Sequence, residues 1–105
     1  MEFRNSIRQA AKKKIIYTIH ALDEMNSEEK VITTEEIRCV ILDGEIIEDY
    51  LDDKRGHSCL LFGISGEDRP VHVVCAPKKD YLAIITAYIP SLEKWESGFK
   101  RRRPK

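Results

Sequence analysis

The chain has 105 residues, of which 42% are hydrophobic and 34% charged, and its 18 basic and 18 acidic residues give a formal net charge of zero. This length suits one domain, and the mixture is typical of a globular chain and excludes a disordered or strongly basic protein. No apolar run reaches the roughly 20 residues of a membrane span, and the N-terminus lacks a signal-peptide core, so we expect a cytoplasmic protein without a membrane partner.

The chain begins with a predicted amphipathic helix over residues 2–13. Its apolar side chains recur at positions i, i+4, i+7 and i+8 and define one buried face. Arg4, Arg8 and Lys12 form a basic stripe on another face. Residues 15–19 are β-branched and aromatic, which is typical of a short strand or an extended connector.

Two further helices are predicted before residue 45. Thr18 is a typical N-cap for a helix over residues 19–28. Thr33 opens a Thr-Thr-Glu-Glu sequence of capping-box form, and the apolar spacing after it predicts a helix that ends at Gly44. Glycine often ends a helix because it adopts the left-handed conformation, which we expect here. Residues 1–44 should therefore be mainly helical.

Residues 45–90 have the pattern of a β-sheet. The four apolar runs cover residues 45–51, 58–64, 71–76 and 81–89. Turn-forming stretches too short for crossover helices separate them, so the strands should be antiparallel. Residues 91–105 should form a short helix that packs Trp95 on the core, followed by a basic tail. We therefore predict a single α+β domain over residues 1–105, with N-terminal helices packed on a curved four-stranded antiparallel sheet.

The three cysteines, Cys39, Cys59 and Cys75, lack the CxxC spacing of a metal site. An odd number without ligand spacing indicates reduced thiols that serve as small buried hydrophobic side chains. We therefore expect neither a disulfide nor a bound metal, and the sequence indicates no cofactor.

Two groups of residues together resemble a known family. The first group is Thr18-x-His20-Ala21 with Met25, Glu35-Glu36-Ile37 and residues 43–48; the second is residues 70–74, residues 85–90, Trp95 and the arginine-rich end. Their order and spacing resemble domain-of-unknown-function family 4258 over roughly residues 15–103. Members of that family look like relatives of the RelE/ParE and MqsR-type bacterial toxins.

This resemblance implies a RelE-like fold and a toxin-like endoribonuclease that cleaves RNA without a metal. It also implies an antitoxin partner, of zinc-finger or DNA-binding type. The family usually has an arginine just before the helical methionine, whereas this chain has Glu24 there. A second interpretation is therefore a non-catalytic partner-binding or RNA-binding module on a toxin-like scaffold.

Metal-free RNA cleavage uses the 2′-hydroxyl as nucleophile and requires a general base, a general acid and positive charge at the phosphate. Histidine suits both proton transfers. His20 lies near a helix start, whose dipole should favour the neutral form that a base needs; alternatively it is a partly buried structural histidine. His72, in an apolar strand, either finds a partner in the core or opens onto a groove.

Tyr88 and Thr86 complete the predicted catalytic group, since residues two apart share one face of a strand. Tyr88 could contact phosphate or a base, or it could pack on Trp95. The predicted RNA-binding residues are basic and lie at the two ends of the chain, where the alternative is a solvated surface or a frayed tail. They are Arg4, Arg8, Lys12, Arg101, Arg102 and Arg103.

The register of the last hairpin decides whether His72 and Tyr88 can act together. With residues 77–80 as a regular four-residue turn, His72 lies opposite Ile85 and the two side chains point to opposite faces. A one-residue slip or a bulge places His72 opposite Thr86 or Ile84 and brings Tyr88 to its face. We expect the slipped or bulged register, with these residues on the face that meets substrate.

Overall fold

The computed structural model describes residues 2–27 and 30–104, apart from the side chain of Glu67. Residue 28, at the end of the predicted second helix, lies outside the described residues. The elements are α1 (Phe3–Lys13), β1 (Ile15–Tyr17), α2 (Ile19–Met25), α3 (Thr34–Asp43), β2 (Glu45–Tyr50), β3 (Ser58–Ser65), a 3-10 turn (Gly66–Asp68), β4 (Arg69–Pro77) and β5 (Leu82–Tyr88).

The described strands form one open, flat sheet in the order β1-β5-β4-β3-β2. β1 runs parallel to β5, and the other neighbours are antiparallel. The α+β class is confirmed, but the predicted curved, four-stranded antiparallel sheet of the RelE-like type is wrong. The sheet differs from the prediction because β1 adds a fifth strand. Its three residues are too few to show the alternation of apolar and polar side chains that identifies a strand in sequence. It joins the edge of β5, where the N–H of Leu82 donates to the Lys14 carbonyl at 2.8 Å.

The predicted helix starts are confirmed by their capping hydrogen bonds. The Thr18 hydroxyl accepts from the N–H of Ala21 at 3.0 Å. Thr33 and Glu36 form the reciprocal capping box, with the Glu36 N–H donating to the Thr33 hydroxyl at 3.1 Å. These bonds satisfy helix N–H groups that have no partner within the helix.

The predicted left-handed end of α3 at Gly44 is wrong. Gly44 is extended, with φ −71° and ψ 164°. Glycine is required here because there is no room for a side chain. A Cβ would lie 2.5 Å from the Val40 carbonyl oxygen and 2.9 Å from that of Phe62. The chain therefore passes directly from α3 into β2 against the sheet.

The three helices cover one face of the sheet, where the main hydrophobic core lies. Side chains alternate across a strand, so every second residue of β3 and β4 enters this core. Its buried members include Ile7 and Ala10 of α1, Ala21 and Met25 of α2, Ile37, Val40 and Ile41 of α3, and Leu61, Val73 and Ile84 of the sheet.

The C-terminal segment, residues 91–103, packs on the opposite face. Trp95 is 1% exposed, as expected, but the predicted short helix is wrong. The segment folds back on itself: Trp95 and Arg102 form an antiparallel bridge, and the chain reverses through Gly98 and Phe99, whose φ angles are 94° and 60°. Positive φ ends a right-handed helix, so the apolar spacing here serves a loop. The basic end is folded rather than frayed.

Candidate functional site

A β-bulge in the β4–β5 hairpin places His72 and Tyr88 on one face. The pairing is Cys75 with Ile84 and then Val74 with Thr86, so Ile85 is the extra residue. One extra residue reverses the alternation of faces beyond it. The expected bulge and the shared face of His72 and Tyr88 are confirmed.

The residue opposite His72 is nevertheless Tyr88 itself, rather than Thr86 or Ile84. The four-residue turn covers residues 78–81, whereas the prediction placed it at residues 77–80. This change alone would move the partner of His72 from Ile85 to Ala87, and the bulge moves it by one more residue to Tyr88. The two rings lie 5.2 Å apart in an edge-to-face arrangement.

Thr18 connects this bulge to the start of α2. Its hydroxyl donates to the carbonyl oxygen of the bulged Ile85 at 2.8 Å while accepting from Ala21 as the helix N-cap. β1 ends at Tyr17, so α2 begins beside the last residues of β5. His20, two residues after the cap and exposed, is thereby held near Tyr88.

A pocket of about 440 Å³ lies between α2, the end of β5 and the C-terminal segment. It brings together three of the four predicted catalytic residues, with one of the predicted RNA-binding arginines. Lys94 adds a second cation and Glu24 an acidic group. The lining residues with polar or aromatic side chains are His20, Glu24, Thr86, Tyr88, Ser91, Lys94, Trp95 and Arg102.

His72 lies directly behind this pocket and is fully buried. Trp95 covers it, with ring centroids 4.4 Å apart. His72 Nε2 is 2.8 Å from the Phe99 carbonyl oxygen, which can only accept, so Nε2 carries the hydrogen. His72 is on the same face of the sheet as Tyr88, as predicted, but it does not line the pocket. Tyr88 and Trp95, which do, separate it from the pocket.

The protonation state of His72 sets the direction of its bond with Tyr88. Burial lowers the pKa of His72, although the Phe99 carbonyl and Glu48 oppose this, so the imidazole is neutral near pH 7. With its hydrogen on Nε2, Nδ1 accepts from the Tyr88 hydroxyl at 3.2 Å. Burial raises the pKa of Tyr88, which stays protonated. Tyr88 therefore directs its hydrogen towards His72.

An ion pair beside His72 holds Arg102 in place. Arg102 Nε donates to Glu48 Oε2 at 2.8 Å and its Nη2 donates to Oε1 at 3.0 Å. The guanidinium also lies 4.7 Å from the Trp95 ring, a cation–π distance. Burial raises the pKa of Glu48, but the hydrogen bonds from Arg102 and Tyr50 outweigh burial. The pKa is therefore below its ordinary value and the carboxyl stays ionised.

The other predicted RNA-binding residues do not reach this pocket. Arg4 is buried, and its Nη2 donates to the carbonyl oxygens of Ile41 at 2.5 Å and Gly44 at 3.0 Å. The expectation that Arg4 lies on an exposed basic stripe is therefore wrong, because it closes the end of α3. Arg8 and Lys12 line a different groove, Arg101 is exposed, and Arg103 Nε donates to the Leu92 carbonyl.

Sequence reasoning missed two charged residues of the site. Glu48 belongs to a run that carries the family resemblance, but its link to Arg102 depends on the fold of the C-terminal segment. Lys94 directly precedes Trp95, and no local pattern marks it. The only signal was the basic and aromatic composition of the C-terminal segment.

Buried His72 should make the protein less stable in mildly acidic solution. Because burial lowers its pKa below the ordinary 6.5, the unfolded chain takes up a proton where the folded chain does not. The free energy of unfolding should then fall as the pH drops below about 6.5, by at most about 1.4 kcal/mol per pH unit. Urea unfolding of the wild type and His72→Asn at about pH 7.5 and 5.5 measures this slope. An equal slope in the variant would contradict the assignment.

The cysteines lie outside this pocket. Cys59 and Cys75 are buried and opposite each other on β3 and β4, as expected of small hydrophobic side chains, whereas Cys39 is exposed. Over residues 2–27 and 30–104, no three His, Cys, Asp or Glu side chains gather in a metal-binding group. Within the same residues, no helix is long and apolar enough to cross a membrane.

The chain matches the model of a protein family. The family model described as "Domain of unknown function (DUF4258)" matches residues 17–89. This range contains Thr18, His20, His72 and Tyr88, and it ends before Lys94. Neither the curated proteins nor the solved structures include a match to the chain.

Proposed function

The chain belongs to the DUF4258 family, and from this premise and the geometry of the pocket we propose that it is a metal-independent endoribonuclease. The observation that carries the proposal is the convergence of His20, Tyr88, Lys94 and Arg102 on one pocket, with His72 hydrogen-bonded behind it. We place its activity in the cytoplasm, opposed by an antitoxin protein of zinc-finger or DNA-binding type.

The proposed reaction is attack of an RNA 2′-hydroxyl on the adjacent phosphate. A bond forms between the 2′-oxygen and phosphorus, and the bond from phosphorus to the 5′-oxygen of the next nucleotide breaks. The products are a 2′,3′-cyclic phosphate and a free 5′-hydroxyl. One proton leaves the nucleophile and one reaches the leaving oxygen, so an acid and a base are required.

The bond between Tyr88 and His72 supports a role for this pair as the base. Tyr88 would accept the proton of the 2′-hydroxyl while its own proton passes to His72 Nδ1. Its pKa is raised, so concerted transfer avoids a phenolate intermediate. The carboxylate of Glu48 would stabilise the resulting imidazolium.

From the sequence we predict His20 as the base, but Tyr88 and His72 take that role in this mechanism. His20, which is exposed in the same pocket, would therefore act in its protonated form as the acid. His20 and Tyr88 line the same pocket, and from there His20 could protonate the leaving 5′-oxygen. Lys94 and Arg102 supply positive charge for the developing negative charge on the phosphate. The Nη1 group of Arg102 lies outside the pair with Glu48 and could contact a phosphate oxygen.

The product ends test this proposal. The protein should cleave single-stranded RNA in the presence of EDTA and leave 2′,3′-cyclic phosphate and 5′-hydroxyl ends, which mass spectrometry identifies. RNA with a 2′-deoxynucleotide at the cleaved position should stay intact, because it lacks the nucleophile. Products with 5′-phosphate ends, cleavage only with added Mg²⁺, or intact RNA throughout would overturn the proposal.

Glu24 favours a second function, a non-catalytic binding module. Its carboxylate lies in the pocket, one helical turn beyond His20, and would repel a phosphate. By resemblance, the family usually has an arginine at this position. If this function holds, the pocket binds a protein partner or RNA, and RNA remains intact under every condition of the cleavage assay.

A further inference from the structure

A second groove, of about 380 Å³, lies between α1 and α3 and shares no lining residue with the pocket around His20. Its apolar part includes Ile15, Ile41 and Leu42, and the side chain of Leu42 is 50% exposed. Single exposed leucines are ordinary on protein surfaces. This one stands among four cationic side chains, which are Arg8, Lys12, Lys14 and Arg38.

The positive charge of this groove is not neutralised locally. Its lining residues include no acidic side chain, and none of the four cations forms an ion pair with a described residue. Among the described residues, the partner of Arg8 Nε is the Leu42 carbonyl oxygen, at 3.3 Å, which orients the guanidinium without cancelling its charge. In a chain of zero net charge this is a local excess that attracts an acidic ligand.

The shape of the surface indicates an extended ligand. A second depression, of about 520 Å³, continues along α3 and shares Arg38 and Leu42 with the groove. It is lined by one acidic residue, Glu35, so the acidic groups of a ligand would pair with the cations of the first groove. Leu42 thus stands between two adjoining hollows. A segment of protein chain can place side chains in both, whereas an RNA backbone would leave the apolar floor unused.

We propose that this surface, formed by Arg8, Lys12, Lys14, Arg38 and Leu42, binds an acidic protein segment that carries bulky apolar side chains. The acidic groups pair with the four cations, and the apolar groups cover Leu42 and Ile15. The site is independent of RNA cleavage because it has no residue in common with the pocket.

Fluorescence anisotropy with labelled synthetic peptides tests this proposal in the absence of RNA. A peptide of glutamate and leucine should bind the wild-type protein, and a peptide with serine replacing leucine should bind at least about tenfold more weakly. Arg38→Glu and Leu42→Ala should each weaken binding of the first peptide about tenfold. Lys54→Glu reverses a charge outside the groove and should leave binding of the first peptide unchanged.

Other results would overturn the proposal. Equal binding of the two peptides, or no effect of Leu42→Ala, would mean that the apolar floor is unused. Single-stranded RNA that displaces the peptide and binds Leu42→Ala as tightly as the wild type would assign the surface to nucleic acid. If neither peptide binds, this surface is not a binding site for acidic protein segments. None of these outcomes depends on whether the protein cleaves RNA.

Discussion

His20→Ala should lower the rate of RNA cleavage by about 10²–10⁴-fold, the usual contribution of a positioned acid or base. In the proposed mechanism His20 protonates the leaving 5′-oxygen, and alanine leaves that oxygen to depart as an alkoxide. Since His20 is exposed and caps no helix, the variant should unfold at the same urea concentration as the wild type. Single-turnover cleavage of a labelled RNA measures the loss.

A sulfur-substituted substrate distinguishes an acid from a base at this position. RNA in which sulfur replaces the leaving 5′-oxygen needs little protonation, because a thiol is far more acidic than an alcohol. His20→Ala should therefore cleave this substrate at nearly the wild-type rate. A defect as large as that on ordinary RNA would show that His20 is not the acid.

His57 provides a matched control for His20. Its ring stacks on Phe3 with centroids 3.5 Å apart and bonds to Asp49, and it does not line the pocket. His57→Ala removes the same imidazole from another surface and should leave cleavage within about twofold of the wild type. A comparable loss in both variants would mean that the effect of His20→Ala is not specific to the pocket.

Trp95→Ala should destabilise the protein by about 3–5 kcal/mol, the usual cost of removing a large buried aromatic side chain. Trp95 is 1% exposed, packs edge-on against His72 and stacks beneath Arg102. Its loss would leave a cavity over the imidazole, admit water to the bond between His72 and Tyr88, and remove a contact that holds the C-terminal segment. Urea unfolding followed by circular dichroism measures the change.

Leu92→Ala is the control for the same segment. Leu92 is 55% exposed, so its truncation should change the free energy of unfolding by less than about 0.5 kcal/mol. If Trp95→Ala is no more destabilising than Leu92→Ala, the C-terminal segment does not form part of the stable fold. The site built on Arg102 and Lys94 would then be lost as well.

The hairpin shows how far a sequence argument can reach. Both faces of β4 carry apolar residues, so the hydrophobic pattern does not indicate which register forms. The prediction of a slipped or bulged register rests on function instead, because either one places His72 and Tyr88 on the same face. In the structure, the carbonyl of the bulged Ile85 accepts a hydrogen bond from Thr18, which lies 67 positions away in the chain. No local pattern can report a contact at that separation.

The sequence by itself determined the features that depend on neighbours in the chain. The N-cap at Thr18 and the capping box at Thr33 and Glu36 are bonds between residues three apart, so the local residues are sufficient to predict them. The positions of strands β2 to β5 and the burial of Trp95 likewise follow from residue type, although the spacing around Trp95 predicted a helix where the structure has a loop.

Only the tertiary structure decided the direction of β1, the burial of Arg4 and the place of Arg102. Each depends on a contact between distant parts of the chain; Arg4 lies 40 positions from Gly44, and Arg102 lies 54 positions from Glu48. An arginine has the same sequence signal whether it is solvated or closes a helix end. Its environment is set by which surfaces the folded chain brings together. Among the predicted RNA-binding residues, Arg4 is therefore a structural anchor, Arg8 and Lys12 line a separate groove, and Arg102 forms one wall of the pocket.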